Sequence, residues 1–127
     1  MRRRLLSSLV VCAFAALALA PAGAASKPPA TGPTGIGTVF APNPVALLQD
    51  QSLTDQKDAD YPALQAAYRT VTLTNLDASG FLVGDWANIR SETGTPAYSP
   101  TNQFTYHRND DRFEQVMAYY WVTEAQK

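Results

Sequence analysis

The first 25 residues constrain this chain most, because they decide how much of it is left to fold. Arg2, Arg3 and Arg4 give a positive start, and no charge occurs from Leu5 to Ala20. Small residues follow from Pro21 to Ala25. A basic start, an apolar run and a small-residue flank make a secretory signal peptide. Ala22-Gly23-Ala24 and Gly23-Ala24-Ala25 both suit the peptidase, so the mature start is expected near Ala25 or Ser26. The competing reading is an uncleaved anchor. An apolar run of about 16 residues falls short of the ~20 that span a bilayer, which favours cleavage.

Cys12 is the only cysteine. Val11 precedes it and the apolar run continues past it to Ala20, which is not a lipoprotein layout, so Cys12 is expected to leave with the signal. The mature chain then has no thiol, which excludes a disulfide scaffold, a cysteine nucleophile and a thiolate metal site. The expected location is secreted, either extracellular or periplasmic, and export without cysteine points to a bacterium.

What remains is about 100 residues, one small domain at most. The full sequence carries a formal charge of -1, and losing the N-terminal arginines makes it more acidic. It has no basic run, so nucleic acid is not an expected partner. No later stretch is apolar and long enough to cross a membrane.

Residues 26–44 are rich in Pro, Gly, Thr and Ala and read as a flexible leader. Val39-Phe40 interrupts it as a short strand that Pro42 and Pro44 would end. The rest, 45–127, reads as a strand-rich segment closed by a helix. Val45, Leu47 and Leu48 form a small apolar knot, and Gln49 to Asp60 a polar, solvated loop. Pro62 suits the first turn of a helix through Ala67. Thr70 to Thr74 alternates polar and apolar, the period of a strand with one buried face. Asp77-Ala78-Ser79-Gly80 is turn chemistry, and Phe81-Leu82-Val83 starts a second strand, which together read as a hairpin. A further strand is expected through Trp86 to Ile89. Ser91 to Asn102 is a loop, and Gln103 to Tyr106 alternates again. Asp111 and Glu114 have the spacing of a capping box. Phe113, Val116, Met117, Tyr120 and Trp121 then recur at helical spacing. The expected class is α+β: a small antiparallel strand region, with a hairpin over about 69–89 and a strand over about 103–106, followed by one amphipathic helix over about 111–126. The helix has no glycine or proline stop before Lys127, which suggests an incomplete domain.

Chemistry is sparse. His107 is the only histidine, so no pair of histidines can hold zinc, and no nucleophile elbow accompanies it. A surface position near the helix start is the plainer reading. Asp77, Ser79 and Gly80 resemble part of a calcium loop, but the remaining ligand spacing is missing. Asp55, Asp58 and Asp60, or Asp110 with Asp111, could gather a hard cation; a solvated loop and helix capping explain them without one. Tyr119, Tyr120 and Trp121 cannot all point one way on a helix, so core packing outweighs a carbohydrate platform. The expected catalytic, cofactor-binding and metal-binding residues are therefore none.

Two segments carry a resemblance. Tyr61-Pro62-Ala63-Leu64-Gln65 with Tyr68 to Asp77, and Asn109 to Val122, resemble the amino-terminal part of secreted bacterial zinc metallopeptidases of the thermolysin and fungalysin type (gluzincins). The likeness runs from about Val39 to the end, and the helix segment is its more specific part. In that group the H-E-x-x-H helix and a further glutamate ligand come later in the chain, so none of their roles falls on a residue here. The resemblance implies the exported front part of a zinc metallopeptidase with a structural role. This chain alone would be inactive; zinc, with calcium as a further candidate, would be held elsewhere in the parent, and its partner would be the rest of the peptidase domain. The alternative is a small secreted binding module that docks its aromatic helix on a protein partner. A third reading is an independent hydrolase using His107 with a carboxylate.

Overall fold

The computed structural model describes residues 32–53, 58–92 and 94–127. The signal segment, Cys12, the leader up to residue 31 and Asp55 lie outside the described residues. The fold is α+β, a small three-stranded mixed sheet with a helix packed on it. The strands are β1 (Gly35–Phe40), β2 (Tyr68–Leu73) and β3 (Gln103–Phe104), in the order β2-β1-β3. The helices are α1 (Pro44–Leu48) and α2 (Asp111–Glu124), and a 3-10 turn spans Pro62–Ala67.

The sheet corrects two expectations. Part of the supposed leader is the central strand: β1 pairs antiparallel with β2, Gly35 opposite Leu73 and Phe40 opposite Tyr68, and parallel with β3. Its glycines, which read as flexibility, are packing devices. A Cβ on Gly37 would stand 2.9 Å from Val116 Cγ1 of α2, and one on Gly35 would press into the Asn102 carbonyl. Second, the partner of β2 is β1 and not the Phe81-Leu82-Val83 arm. The chain does reverse at Asp77–Gly80, but its arms meet in a single bridge, Leu76 to Gly84, and the Val83 to Asn88 bridge lies within the second arm. Trp86 to Ile89 forms no strand.

The shorter elements follow local chemistry. Asn43 caps α1, its side chain accepting from the Ala46 N–H at 2.9 Å, with Pro44 pre-set for the first turn. Pro62 opens a helical turn as its sequence suggests, wound as 3-10, and buries Leu64 and Ala67. The cap of α2 is Asp110 and not Asp111: its carboxylate accepts from the Arg112 N–H at 2.9 Å. The third residue of the helix is then Phe113, so the reciprocal bond expected from Glu114 is not available.

Successive residues of β1 feed different clusters, as a strand's two-residue period requires. Val39 joins Leu73, Leu76, Phe104, Val116 and Tyr119 between sheet and helix. Phe40 joins Leu53, Leu64, Ala67 and Phe113. Tyr119 is buried and its hydroxyl donates to the Thr74 carbonyl at 2.9 Å; burial pushes its pKa up to about 12. Gln115 is buried too, and pins the 95–97 loop by accepting from the Ala97 N–H and donating to the Thr95 carbonyl.

Candidate functional site

The most connected polar group lies where the segment before the 3-10 turn meets the loop before α2. Asp60 Oδ1 accepts from Gln65 Nε2 at 2.8 Å and from the Tyr68 hydroxyl at 2.9 Å. Its Oδ2 lies 2.8 Å from His107 Nδ1. The Tyr68 hydroxyl in turn accepts from the Arg108 N–H at 3.0 Å. The Tyr68 ring lies flat between His107 and Phe40, with centroids 4.3 and 4.8 Å away, and meets Phe113 edge-on. Asp58 lies 3.9 Å from the Arg108 guanidinium.

Local sequence explains the assembly. Pro62 starts a tight turn that brings Asp60 back beside Gln65 and the first residue of β2. β3 and the cap at Asp110 fix the loop that carries His107 and Arg108. Desolvation acts to raise the Asp60 pKa, but bonds from His107, Tyr68 and Gln65 outweigh it and hold the carboxyl below its ordinary value. Desolvation and the neighbouring carboxylate push Tyr68 up to about 12, despite the opposing Arg108 bond.

A carboxylate on Nδ1 is how a histidine base is oriented. Here the Asp60 carboxylate and the stacked Tyr68 ring hold the imidazole in place. The arrangement clasps two loops together. Because the folded pKa of Asp60 lies below its unfolded value of about 3.9, its stabilising contribution is complete above that value and is lost as pH falls through the folded pKa. Asp60→Asn is therefore expected to flatten the acid limb of the unfolding curve. Asp50, Asp77 and Asp110 are lowered too, so the quantity to read is the difference between variant and parent midpoints from pH 5 down to about pH 2. Parallel curves would show that Asp60 is not held as described.

The other singled-out acids have local duties. Asp77 Oδ1 accepts from the Ser79 N–H at 2.9 Å and shapes the turn. Asp110 caps α2 and pairs with Arg112 at 2.6 Å, and that guanidinium lies over the Tyr106 ring. Among the described residues no three His, Cys, Asp or Glu side chains gather as a metal cage.

Beside the Asp60 cluster opens an apolar cleft of about 750 Å³ between α1 and α2, lined by Phe40, Pro44, Val45, Leu53, Phe113 and Met117. The outer side of α2 is a second apolar surface. Ala118, Trp121, Val122 and Ala125 are exposed at i, i+3, i+4 and i+7, one stripe of a helix. Trp121 is 44% and Val122 41% exposed. The consecutive aromatics thus divide as helical spacing requires: Tyr119 faces inward and Trp121 outward.

Sequence reading placed His107 near the helix start, but did not pair it with Asp60, because 47 residues separate them. The close spacing of Asp60, Pro62, Gln65 and Tyr68 was the available signal. The chain matches no known protein family, no curated protein sequence and no solved structure.

Proposed function

We propose that this chain is the exported front part of a zinc metallopeptidase of the gluzincin type, and that its role there is structural. The observation that carries this is the outer stripe of α2. A helix that buries Phe113, Val116 and Tyr119 on one side and presents Trp121 and Val122 on the other is apolar on both sides, the pattern of a helix between two layers. The sheet supplies one layer; the rest of the peptidase domain would supply the other. The likeness of Tyr61–Gln65 with Tyr68–Asp77, and of Asn109–Val122, to the front of such enzymes supports the same reading.

Zinc is not assigned to these residues. On this reading the metal's ligands and all bond-breaking steps would belong to the rest of the parent. The purified chain should not hydrolyse casein; chelator-sensitive hydrolysis would overturn the proposal. The stripe has its own test. Trp121→Gln should cost the isolated chain less than about 1 kcal/mol, against ~3–5 for a buried aromatic. A large loss in urea unfolding would mean that Trp121 is already covered, removing the observation on which the proposal rests. A small secreted module docking this stripe on another protein draws on the same surface. The coding frame beyond Lys127 separates the two.

A further inference from the structure

A second exposed surface lies on the other side of the Asp77–Gly80 turn. Phe81 and Tyr98 are 41% and 52% exposed, and their rings pack on each other, centroids 4.9 Å apart and tilted by 52°. Phe81 also lines a shallow cleft of about 470 Å³ with Asp77, Ser79, Asn88, Arg90 and Pro96. That size falls within the ~300–1,000 Å³ of small-ligand sites.

The surface is rigid before any ligand arrives. Ser79 N–H binds Asp77 Oδ1 at 2.9 Å, and Phe81 N–H binds Ser79 Oγ at 3.2 Å. Gly80 takes a positive φ of 83°, and a Cβ there would stand 2.7 Å from the Tyr98 ring, so only glycine lets that ring lie on the turn. The Ser99 N–H closes the other side on the Gly80 carbonyl at 2.8 Å. Two large aromatics are thus held half-exposed by a braced backbone.

We propose that this cleft is a binding site for a neutral oligosaccharide. A pyranose has an apolar face of C–H groups and an edge of hydroxyls. Phe81, extended by Tyr98, offers the flat apolar surface for the first. Asp77, Asn88 and Arg90 offer a carboxylate, an amide and a guanidinium for the second, the planar groups that bond neighbouring hydroxyls in pairs. Bonds from Ser79 keep the Asp77 carboxyl below its ordinary pKa, so it is a charged acceptor at neutral pH. Asp77 and Arg90 balance one another in charge, which suits an uncharged ligand. The open form of the cleft, with exposed residues along it, suits a chain of sugars more than a single enclosed one.

The test is an NMR titration of the purified chain with cellohexaose, maltohexaose and chitohexaose. At least one should shift the Phe81 and Tyr98 ring signals saturably, with a Kd in the millimolar range or tighter. Phe81→Ala should weaken that binding about tenfold or more. Because the Phe81 ring also packs on Tyr98, Asn88→Ala serves as the second variant: its bridge to Val83 is made by backbone groups, so it should weaken binding and leave the unfolding midpoint in place. No saturable shift with any of the three sugars overturns the proposal. So do shifts with decaproline alone, which would make the surface a peptide groove. Either result leaves the metallopeptidase reading where it stands, since that rests on α2.

Discussion

Phe104→Ala is expected to abolish the cooperative unfolding of this chain. Phe104 is fully buried among Val39, Leu73, Val116 and Tyr119, and truncating such a phenylalanine costs ~3–5 kcal/mol. A domain of this size has a small core and a correspondingly small margin, drawn from the ~5–15 kcal/mol that folded domains hold in total. The position is also topologically exposed to failure. β3 is two residues long and pairs with β1 only at Ile36 and Gly37, so the Phe104 ring, more than a hydrogen-bond ladder, holds the strand. A thermal melt followed by near-ultraviolet circular dichroism should show a broad, shallow change in the variant and a sigmoid in the parent. Phe104→Leu, which keeps most of the volume, should retain the sigmoid. A shift of only a few degrees in the alanine variant would place the core elsewhere.

Gly84→Ala is expected to have an effect of similar size from the opposite cause. A methyl group there would overlap the Asn75 carbonyl oxygen and stand 2.6 Å from the Tyr119 hydroxyl. Both neighbours are fixed: Leu76 and Gly84 bridge the two arms, and Tyr119 is tied to the Thr74 carbonyl. Overpacking costs ~1–3 kcal/mol where side chains can give way, and more where backbone must move. The variant should lose at least ~3 kcal/mol in urea unfolding. Gly94→Ala is the control, because its methyl would meet only side-chain atoms at 3.1 Å or beyond. Equal losses at the two glycines would mean that the 76–84 turn is not braced as described.

The parts of the fold legible in sequence were those governed by neighbours in the chain. The helix announced itself through Phe113 and Val116 at helical spacing, Pro62 announced a helical turn, and Thr70–Thr74 announced a strand. Each depends on local propensity or a short repeat. What was not legible depended on distant partners. Gly35 and Gly37 look like linker residues until α2 and Asn102 lie against them, so only the Val39-Phe40 end of the central strand was read as strand and the rest as leader. The hairpin reading failed for the same reason: the Asp77–Gly80 turn is real, but a turn does not say which strand β2 will pair with, and its partners in β1 lie 28 to 38 residues back. The cap moved by one residue because Asp110 and Asp111 are both suitable acids, and only backbone geometry chooses between them. Asp60 with His107, and Phe81 with Tyr98, were beyond reach because the pairs meet through loops whose course the sequence does not state.

The two surfaces then divide the labour differently. The α2 stripe is apolar and helical, and suits a second protein layer. The Phe81–Tyr98 cleft mixes aromatic faces with charged and amide groups, and suits the neutral oligosaccharide proposed for it. The Asp60 cluster braces the frame, with Tyr68 stacked on Phe40 at the edge of the sheet.

Reading the coding frame onward from the Lys127 codon tests the structural role most directly. The metallopeptidase reading predicts that the frame continues into a helix bearing H-E-x-x-H and, further on, a glutamate ligand, with apolar residues placed to cover Trp121 and Val122. A stop codon directly after Lys127 would contradict it, and the α2 stripe would then belong to a free-standing module seeking a separate partner.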